Sequence, residues 1–251
     1  MTEGFYEIRS NVKIARDVYE MTLAGDTSAV TVPGQFINIK LDGLFLRRPI
    51  SVCDWDAETI TILYKVVGAG TEKMAEMTAG TTLDILVGLG NGFDMTKSGE
   101  MPLLVGGGVG TPPMYGLCRR LIAAGKMPTV ILGFASAADV LYEEKFRALG
   151  AEVRAATADG SHGLCGFVTD AMAGIRYSYF YACGPVPMLR AVSDASLSDG
   201  QLSFEERMGC GFGACMGCSC KTKYGNKRIC RDGPVLEKGE VIWLSLIHIS
   251  E

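Results

Sequence analysis

Nine cysteines occur in the 251 residues, and five fall between Cys210 and Cys230. The dense stretch reads Cys210-Gly-Phe-Gly-Ala-Cys215-Met-Gly-Cys218-Ser-Cys220. With Cys220 set aside, Cys210, Cys215 and Cys218 form C-x4-C-x2-C, and Cys230 follows after eleven residues. That is the spacing of a plant-type [2Fe–2S] cluster held by four thiolates. A short loop has to wrap a compact anionic cluster, aim three sulfurs inward and turn backbone N–H groups toward the inorganic sulfides. Gly211, Gly213, Ala214 and Gly217 give the loop little bulk and wide conformational freedom. Lys221, Lys223, Lys227 and Arg228 follow, cations able to offset the cluster's charge. On spacing alone two other readings stay open. One is a zinc site, for which only Cys215 and Cys218 make the usual C-x2-C knuckle; the other is a set of buried thiols. Cys220 is expected to point away from Cys218. Cys53, Cys118, Cys165 and Cys183 stand alone and read as small core hydrophobes. An odd count in a chain expected to be cytoplasmic argues against a disulfide framework.

Two glycine turns have the form of phosphate cradles. Gly106-Gly107-Gly108-Val109-Gly110 follows an apolar run at 102–105 and precedes a helical pattern at 111–124. A Rossmann-like fold holds a dinucleotide's pyrophosphate at such a helix start. The loop is not a full G-x-G-x-x-G, because Thr111 stands where the third glycine would fall, and tight strand–helix packing is the competing account. Thr111 is placed to cap the helix, and Pro112 and Pro113 suit its first turn. Cys183-Gly184-Pro185 opens at the same carboxyl edge, with Cys183 either beside a nicotinamide or a packed thiol. In Arg47-Arg48-Pro49-Ile50-Ser51 two cations flank a rigid extended turn entering a strand. A guanidinium there grips a pyrophosphate through paired hydrogen bonds, and Ser51 reaches a flavin edge; a solvated basic turn is the plainer account. Leu63-Tyr64-Lys65 offers an aromatic, and Gly70-Thr71 a second turn leading a helix. His162, in the polar loop 159–163, reads as a solvated loop residue with no triad or metal set around it.

The elements that must position these groups come in two rhythms. Short alternating runs at 6–12, 18–23, 36–41, 50–53, 60–66 and 83–87, with a helical piece at 71–77, predict a small antiparallel barrel. From 102 the strands at 102–105, 129–134, 151–156 and 179–182 alternate with helices at 111–124, 139–149, 166–173 and 186–195. That alternation predicts a parallel α/β sheet. A third piece from about 202 carries the cysteine loop, short strands at 219–223 and 227–230, and a closing strand at 241–243. The expected fold is therefore multidomain, α/β plus all-β: barrel at 1–98, nucleotide domain at 99–200, cluster domain at 201–243. Composition agrees, with 48% hydrophobic and 21% charged residues excluding a disordered chain. A net charge of −4 without a basic run argues against nucleic-acid or membrane-surface binding. No run approaches the ~20 apolar residues that span a bilayer. The last eight residues, Leu244-Ser-Leu-Ile-His-Ile-Ser-Glu251, read as a translated sequencing adapter and are expected to be foreign; His248 receives no role.

Taken in order, these motifs form a set. Arg48-Pro-Ile-Ser51, Leu63-Tyr-Lys65 with Gly70-Thr71, Gly90-Asn-Gly-Phe93, Gly106-Gly-Gly-Val-Gly-Thr-Pro-Pro113, Asp159-Gly-Ser161, Cys183-Gly-Pro-Val-Pro-Met188 and Glu205-Glu-Arg-Met-Gly-Cys-Gly211 follow one another. The sequence closely resembles the electron-transfer subunits of NAD-dependent, class B dihydroorotate dehydrogenase over residues 4–243. The resemblance implies a ferredoxin-reductase-like chain that is an oxidoreductase subunit, with no dihydroorotate site and no catalytic side chain of its own. It implies FAD held by Arg48, Pro49, Ile50, Ser51, Leu63, Tyr64, Lys65, Gly70 and Thr71. Cys210, Cys215, Cys218 and Cys230 would be the cluster ligands. It also implies a separate FMN-containing catalytic subunit, in a heterotetramer of two plus two. Electrons from dihydroorotate would cross the [2Fe–2S] cluster and FAD to NAD+, serving de novo pyrimidine (UMP) biosynthesis. Gly106, Gly107, Gly108, Gly110, Thr111, Cys183, Gly184 and Pro185 are the candidate NAD contacts. The stretch 133–139 offers no Arg to a 2′-phosphate, which favours NAD over NADP. The alternative is the small subunit of an NADH-dependent ferredoxin:NADP or related flavin/iron–sulfur oxidoreductase. Cys165 and Cys220 depart from the family pattern.

Overall fold

The computed structural model describes residues 1–243, so the tail at 244–251 lies outside the described residues. Six strands, β1 (Thr2–Ala15), β2 (Val18–Ala24), β3 (Phe36–Ile39), β4 (Arg48–Trp55), β5 (Thr59–Lys65) and β6 (Thr82–Leu89), close an antiparallel barrel in the order β1-β2-β5-β4-β3-β6. Alternation builds it: Tyr6 and Ile8, Met21 and Leu23, Ile37 and Ile39, Ile60 and Ile62, Ile85 and Val87 fill one interior. Helix α1 (Ala69–Ala75) caps the barrel with Met74. Asn11 ties it down, donating to the Met74 carbonyl at 2.8 Å and accepting from the Tyr64 hydroxyl at 2.8 Å.

The second layer is a seven-stranded sheet. Its first part runs β7 (Leu103–Gly107), α2 (Thr111–Ala123), β8 (Thr129–Phe134), α3 (Glu143–Ala148), β9 (Glu152–Thr157), β10 (Leu164–Cys165) and α4 (Val168–Ala171). It continues with β11 (Phe180–Cys183), α5 (Val186–Ala195) and β12 (Gly200–Ser203). The cysteine segment contributes a hairpin, β13 (Ser219–Thr222) and β14 (Gly225–Arg228), then α6 (Ile229–Asp232) and β15 (Val235–Glu237). Strand order is β10-β9-β8-β7-β11-β12-β15, parallel except for β15, which runs against β12. The sheet thus continues through β12 and β15 into the third segment.

Five local expectations are corrected. Cys165, expected in the core, is exposed on β10. The helix expected at 139–149 is a short 3-10 turn, Ala137–Asp139, and then α3, because Tyr142 takes a left-handed backbone (φ 64) between them. Cys230 lies on α6 rather than on a strand. No strand forms at 241–243; Val241 makes only an isolated bridge to Thr222. Cys220 is not turned away: with Thr222 it lies on the buried face of β13, in the same core as Cys218.

That core joins the three parts. Cys218, Cys220, Ile229 and Cys230 pack with Phe36 and Leu89 of the barrel and with Leu202 and Phe204 of the sheet. The Gly90-Asn91-Gly92-Phe93 motif fastens the junction. Asn91 accepts from Val235 N at 3.1 Å and donates to the Val235 carbonyl at 2.8 Å, and its own N–H meets the Gly233 carbonyl at 2.7 Å.

Candidate functional site

A cleft of about 900 Å³ opens along the carboxyl edge of the sheet, roofed by Arg16, Val18 and Lys65 of the barrel. From β7 the chain passes outward to β8 and β9, then returns to β11 on the other flank. The β7/β11 junction is therefore the topological switch point, where open α/β sheets bind ligands. Gly107, Gly108 and Gly110 line the cleft there, facing Gly184 and Pro185. Gly108 needs its positive φ of 52°, and an added Cβ would point into open space. Helix α2 begins at this loop; Pro112 and Pro113 in its first turn carry no N–H and the Thr111 N–H is bonded to the Gly108 carbonyl, so it is the helix dipole, not free N–H donors of that turn, that favours an anion here.

Thr111, Gly106 and Cys183 serve packing, and Gly110 does so while also lining the cleft. Thr111 is the first helical residue, not the cap, and is fully buried away from the cleft. A Cβ on Gly106 would meet Thr111 Cα at 2.9 Å, and one on Gly110 would meet the Cys183 carbonyl oxygen at 2.3 Å. Cys183 is a packed thiol, pushed up to about 12 by burial. At the β8 end the cleft holds cations that spacing along the chain could not reveal. Arg16 donates from Nε to Asp139 at 2.9 Å and from Nη2 to Ser136 Oγ at 2.9 Å, and Lys65 lies beside them on the cleft wall.

The flavin candidates cluster on the barrel. Arg48, Pro49, Ile50 and Ser51 lie within β4 itself, next to β5 with Leu63, Tyr64 and Lys65. Arg48 and Gly70 are brought together: a Cβ on Gly70 would sit 2.1 Å from Arg48 Nε. Glycine at that place seats a guanidinium against the start of α1, an arrangement that fits a pyrophosphate. Thr71 Oγ1 braces the same turn, accepting from Val67 N at 2.9 Å and donating to the Gly68 carbonyl at 3.0 Å. Tyr64 departs from expectation. Its ring enters the barrel core and stacks on Tyr19 at 5.7 Å. Leu63 packs between barrel and sheet.

The four candidate ligand thiols come in two pairs. Cys210 Sγ accepts from Ala214 N at 3.2 Å and Cys215 N at 3.4 Å, while Cys215 Sγ accepts from Cys210 N and Gly217 N, each at 3.5 Å. Cys218 Sγ accepts from Cys230 N at 3.4 Å. Burial raises the Cys210 pKa, but backbone N–H groups of Cys215, Phe212 and Ala214 outweigh it and bring the thiol down to about 6. Among the described residues no three His, Cys, Asp or Glu side chains converge on one point. Two sulfur pairs in a loop of inward N–H groups fit a two-iron cluster better than one tetrahedral zinc. Gly211 (φ 79) and Gly213 (φ 91) let the loop lie flat, their absent Cβ atoms leaving room for Asn38 and Arg231. Asn38 of β3 donates to the Cys210 carbonyl at 3.3 Å, so the loop docks on the strand paired with β4. Two of the flanking cations are held by carboxylates: Lys227 pairs with Glu240 at 2.6 Å, and Arg228 with Asp232 at 3.0 Å while its Nη1 donates to the Gly213 carbonyl of the cysteine loop at 2.9 Å.

Known proteins carry the same parts. Residues 205–242 match the iron–sulfur cluster binding domain of dihydroorotate dehydrogenase B, and 104–194 match the oxidoreductase NAD-binding domain. The dihydroorotate dehydrogenase B (NAD(+)) electron transfer subunit of Shouchella clausii (strain KSM-K16) is 45% identical, covering 96% of this chain and 98% of its own. The chain belongs to that family. The family's counterpart in Geobacillus sp. (strain WCH70) is 43% identical over 91% of this chain and 94% of its own. Among solved structures, an NADH-dependent reduced ferredoxin–NADP oxidoreductase superposes with a TM-score of 0.87 at 29% identity, covering 97% of this chain and 92% of the other. A ferredoxin NADP+ reductase from Neisseria gonorrhoeae with bound FAD and NADP shares the fold at a TM-score of 0.67 and 15% identity, over 77% of this chain and 89% of its own. Among the described residues no helix is long and apolar enough to cross a membrane.

Proposed function

We propose that this chain conducts electrons from a catalytic partner that oxidises dihydroorotate to NAD+, within the cytoplasm and in pyrimidine biosynthesis. The partner is an FMN-containing subunit, two of each chain making the complex. When bound, FAD exchanges a hydride with the nicotinamide and single electrons with the [2Fe–2S] cluster. Arg48 and the turn before α1 hold the FAD pyrophosphate, and β4 and β5 present their outer face to its ring. Cys210, Cys215, Cys218 and Cys230 hold the cluster. Gly107, Gly108 and the start of α2 take the NAD pyrophosphate, with Lys65 as a counter-charge.

One observation carries the reading: the cysteine loop, the flavin strip and the dinucleotide cleft abut one another. Asn38 bridges the first two, and β12 leads from the cleft into the loop. The function therefore needs no large motion to connect its carriers. The test is the purified chain's iron, sulfide and flavin content and its NADH oxidation with an artificial acceptor. Full flavin and iron with no such oxidation would refute the reading. The alternative, a ferredoxin-linked oxidoreductase small subunit, shares these three parts; dihydroorotate-dependent reduction of NAD+ after addition of the FMN partner separates the two.

A further inference from the structure

The ionisable side chains lining the cleft are unevenly placed. Arg16, Lys65 and Asp139 lie toward the β8 end, where Arg16 and Asp139 are paired. Glu205, two residues beyond the end of β12, lines the opposite end. The residue is exposed along the cleft wall, and the protein packed around it pushes its pKa up. Burial stands alone as the cause, with no cation or hydrogen-bond donor offsetting it. The neighbouring Cys183 thiol stays neutral and supplies no counter-charge. An unpaired, partly desolvated carboxylate is costly, and a cation arriving from the ligand relieves that cost.

The orientation of a dinucleotide in this cleft follows from the fold. With its pyrophosphate at the 107–110 loop, one nucleoside extends toward β8 and β9 and the other toward β11 and β12. The ring that exchanges hydride must lie near the flavin strip, and the flavin must lie near the cluster loop. Lys65 of the strip borders the β8 end, but the cluster loop begins five residues after Glu205, so a nicotinamide near both strip and loop belongs at the β12 end. Its ring is a pyridinium cation in NAD+ and is neutral in NADH.

Resting on the reading of the cleft as the NAD(H) site, we infer that Glu205 is a specificity-determining residue for the oxidised nicotinamide. Its carboxylate attracts the pyridinium of NAD+ and gains nothing from the neutral ring of NADH. It thereby favours entry of the acceptor and release of the reduced product. Glu205 takes no proton and forms no bond in the hydride step; it acts through charge placed beside the ring.

The test is isothermal titration of the oxidised holoprotein with NAD+ and, separately, with tetrahydro-NAD, a neutral analogue that transfers no hydride. Glu205→Gln, close in shape and uncharged, is compared with wild type, with flavin and cluster absorbance checked in both. The expected result is NAD+ binding weakened about tenfold, the scale of one partly desolvated charge pair, with tetrahydro-NAD changed less than about twofold. Glu205→Asp, which keeps the charge, restores most of the preference. Equal weakening of both ligands makes Glu205 a matter of cleft shape and overturns the inference, as does no change in either. Wild-type protein that binds neither ligand overturns the assignment of the cleft itself, and the inference with it.

Discussion

Cys218 and Cys220 are two residues apart in one core and have different surroundings. Cys218 Sγ receives the Cys230 N–H. Cys220 is buried on the inner face of β13, its thiol pushed up to about 11 chiefly by burial. Cys218→Ser is expected to abolish the cluster's visible absorbance while flavin is retained, and Cys220→Ala to keep both; absorption spectra with iron analysis check this. Gly211 carries a second residue-scale prediction. Alanine there combines a φ of 79° with a Cβ 2.3 Å from Asn38 Nδ2. Gly211→Ala should lower stability by about 1–3 kcal/mol, measured by denaturant unfolding, with loss of cluster content. The C-x4-C-x2-C spacing was legible from sequence because ligand spacing is local. The engagement of Lys227 and Arg228 by Glu240 and Asp232 was not, because the charge pattern looks the same whether a cation faces the cluster or a carboxylate.

At the scale of elements, the loop before α2 divides its glycines between ligand and packing. Gly108 faces open space and Gly110 abuts the Cys183 carbonyl. Gly108→Ala should weaken NAD+ binding and lower the melting temperature modestly through its left-handed φ alone, whereas Gly110→Ala, which clashes with the Cys183 carbonyl, should displace the start of α2 and lower the melting temperature further, as calorimetric titration and thermal melting would show. The barrel strands and β8 were readable as alternating or apolar runs, since side-chain period and burial coincide there. Strands β12 and β15 were missed because four and three residues carry no period, and they are strands only through pairing with each other and β11. The break before α3 was equally hidden, as Tyr142 is not a residue type that announces a left-handed backbone.

Across the whole molecule, barrel and sheet meet through Arg16 and Asp139 at the cleft mouth. The Arg16 hydrogen bond holds the Asp139 carboxyl below its ordinary value, against a smaller opposing effect of burial. A depressed folded-state pKa contributes stability that is present above the unfolded value of about 4 and is lost as pH falls through the folded value. Asp139→Asn should therefore melt lower than wild type near neutrality, with the gap closing below about pH 4; a gap that persists into acid would contradict the tie. Whether electrons cross this chain through the cysteine loop is decided by anaerobic NADH formation from dihydroorotate and NAD+ in the complex with the FMN subunit. With Cys218→Ser this rate should collapse while NADH oxidation by a flavin-reactive acceptor persists. An unchanged rate of NADH formation in that variant would contradict passage through the loop.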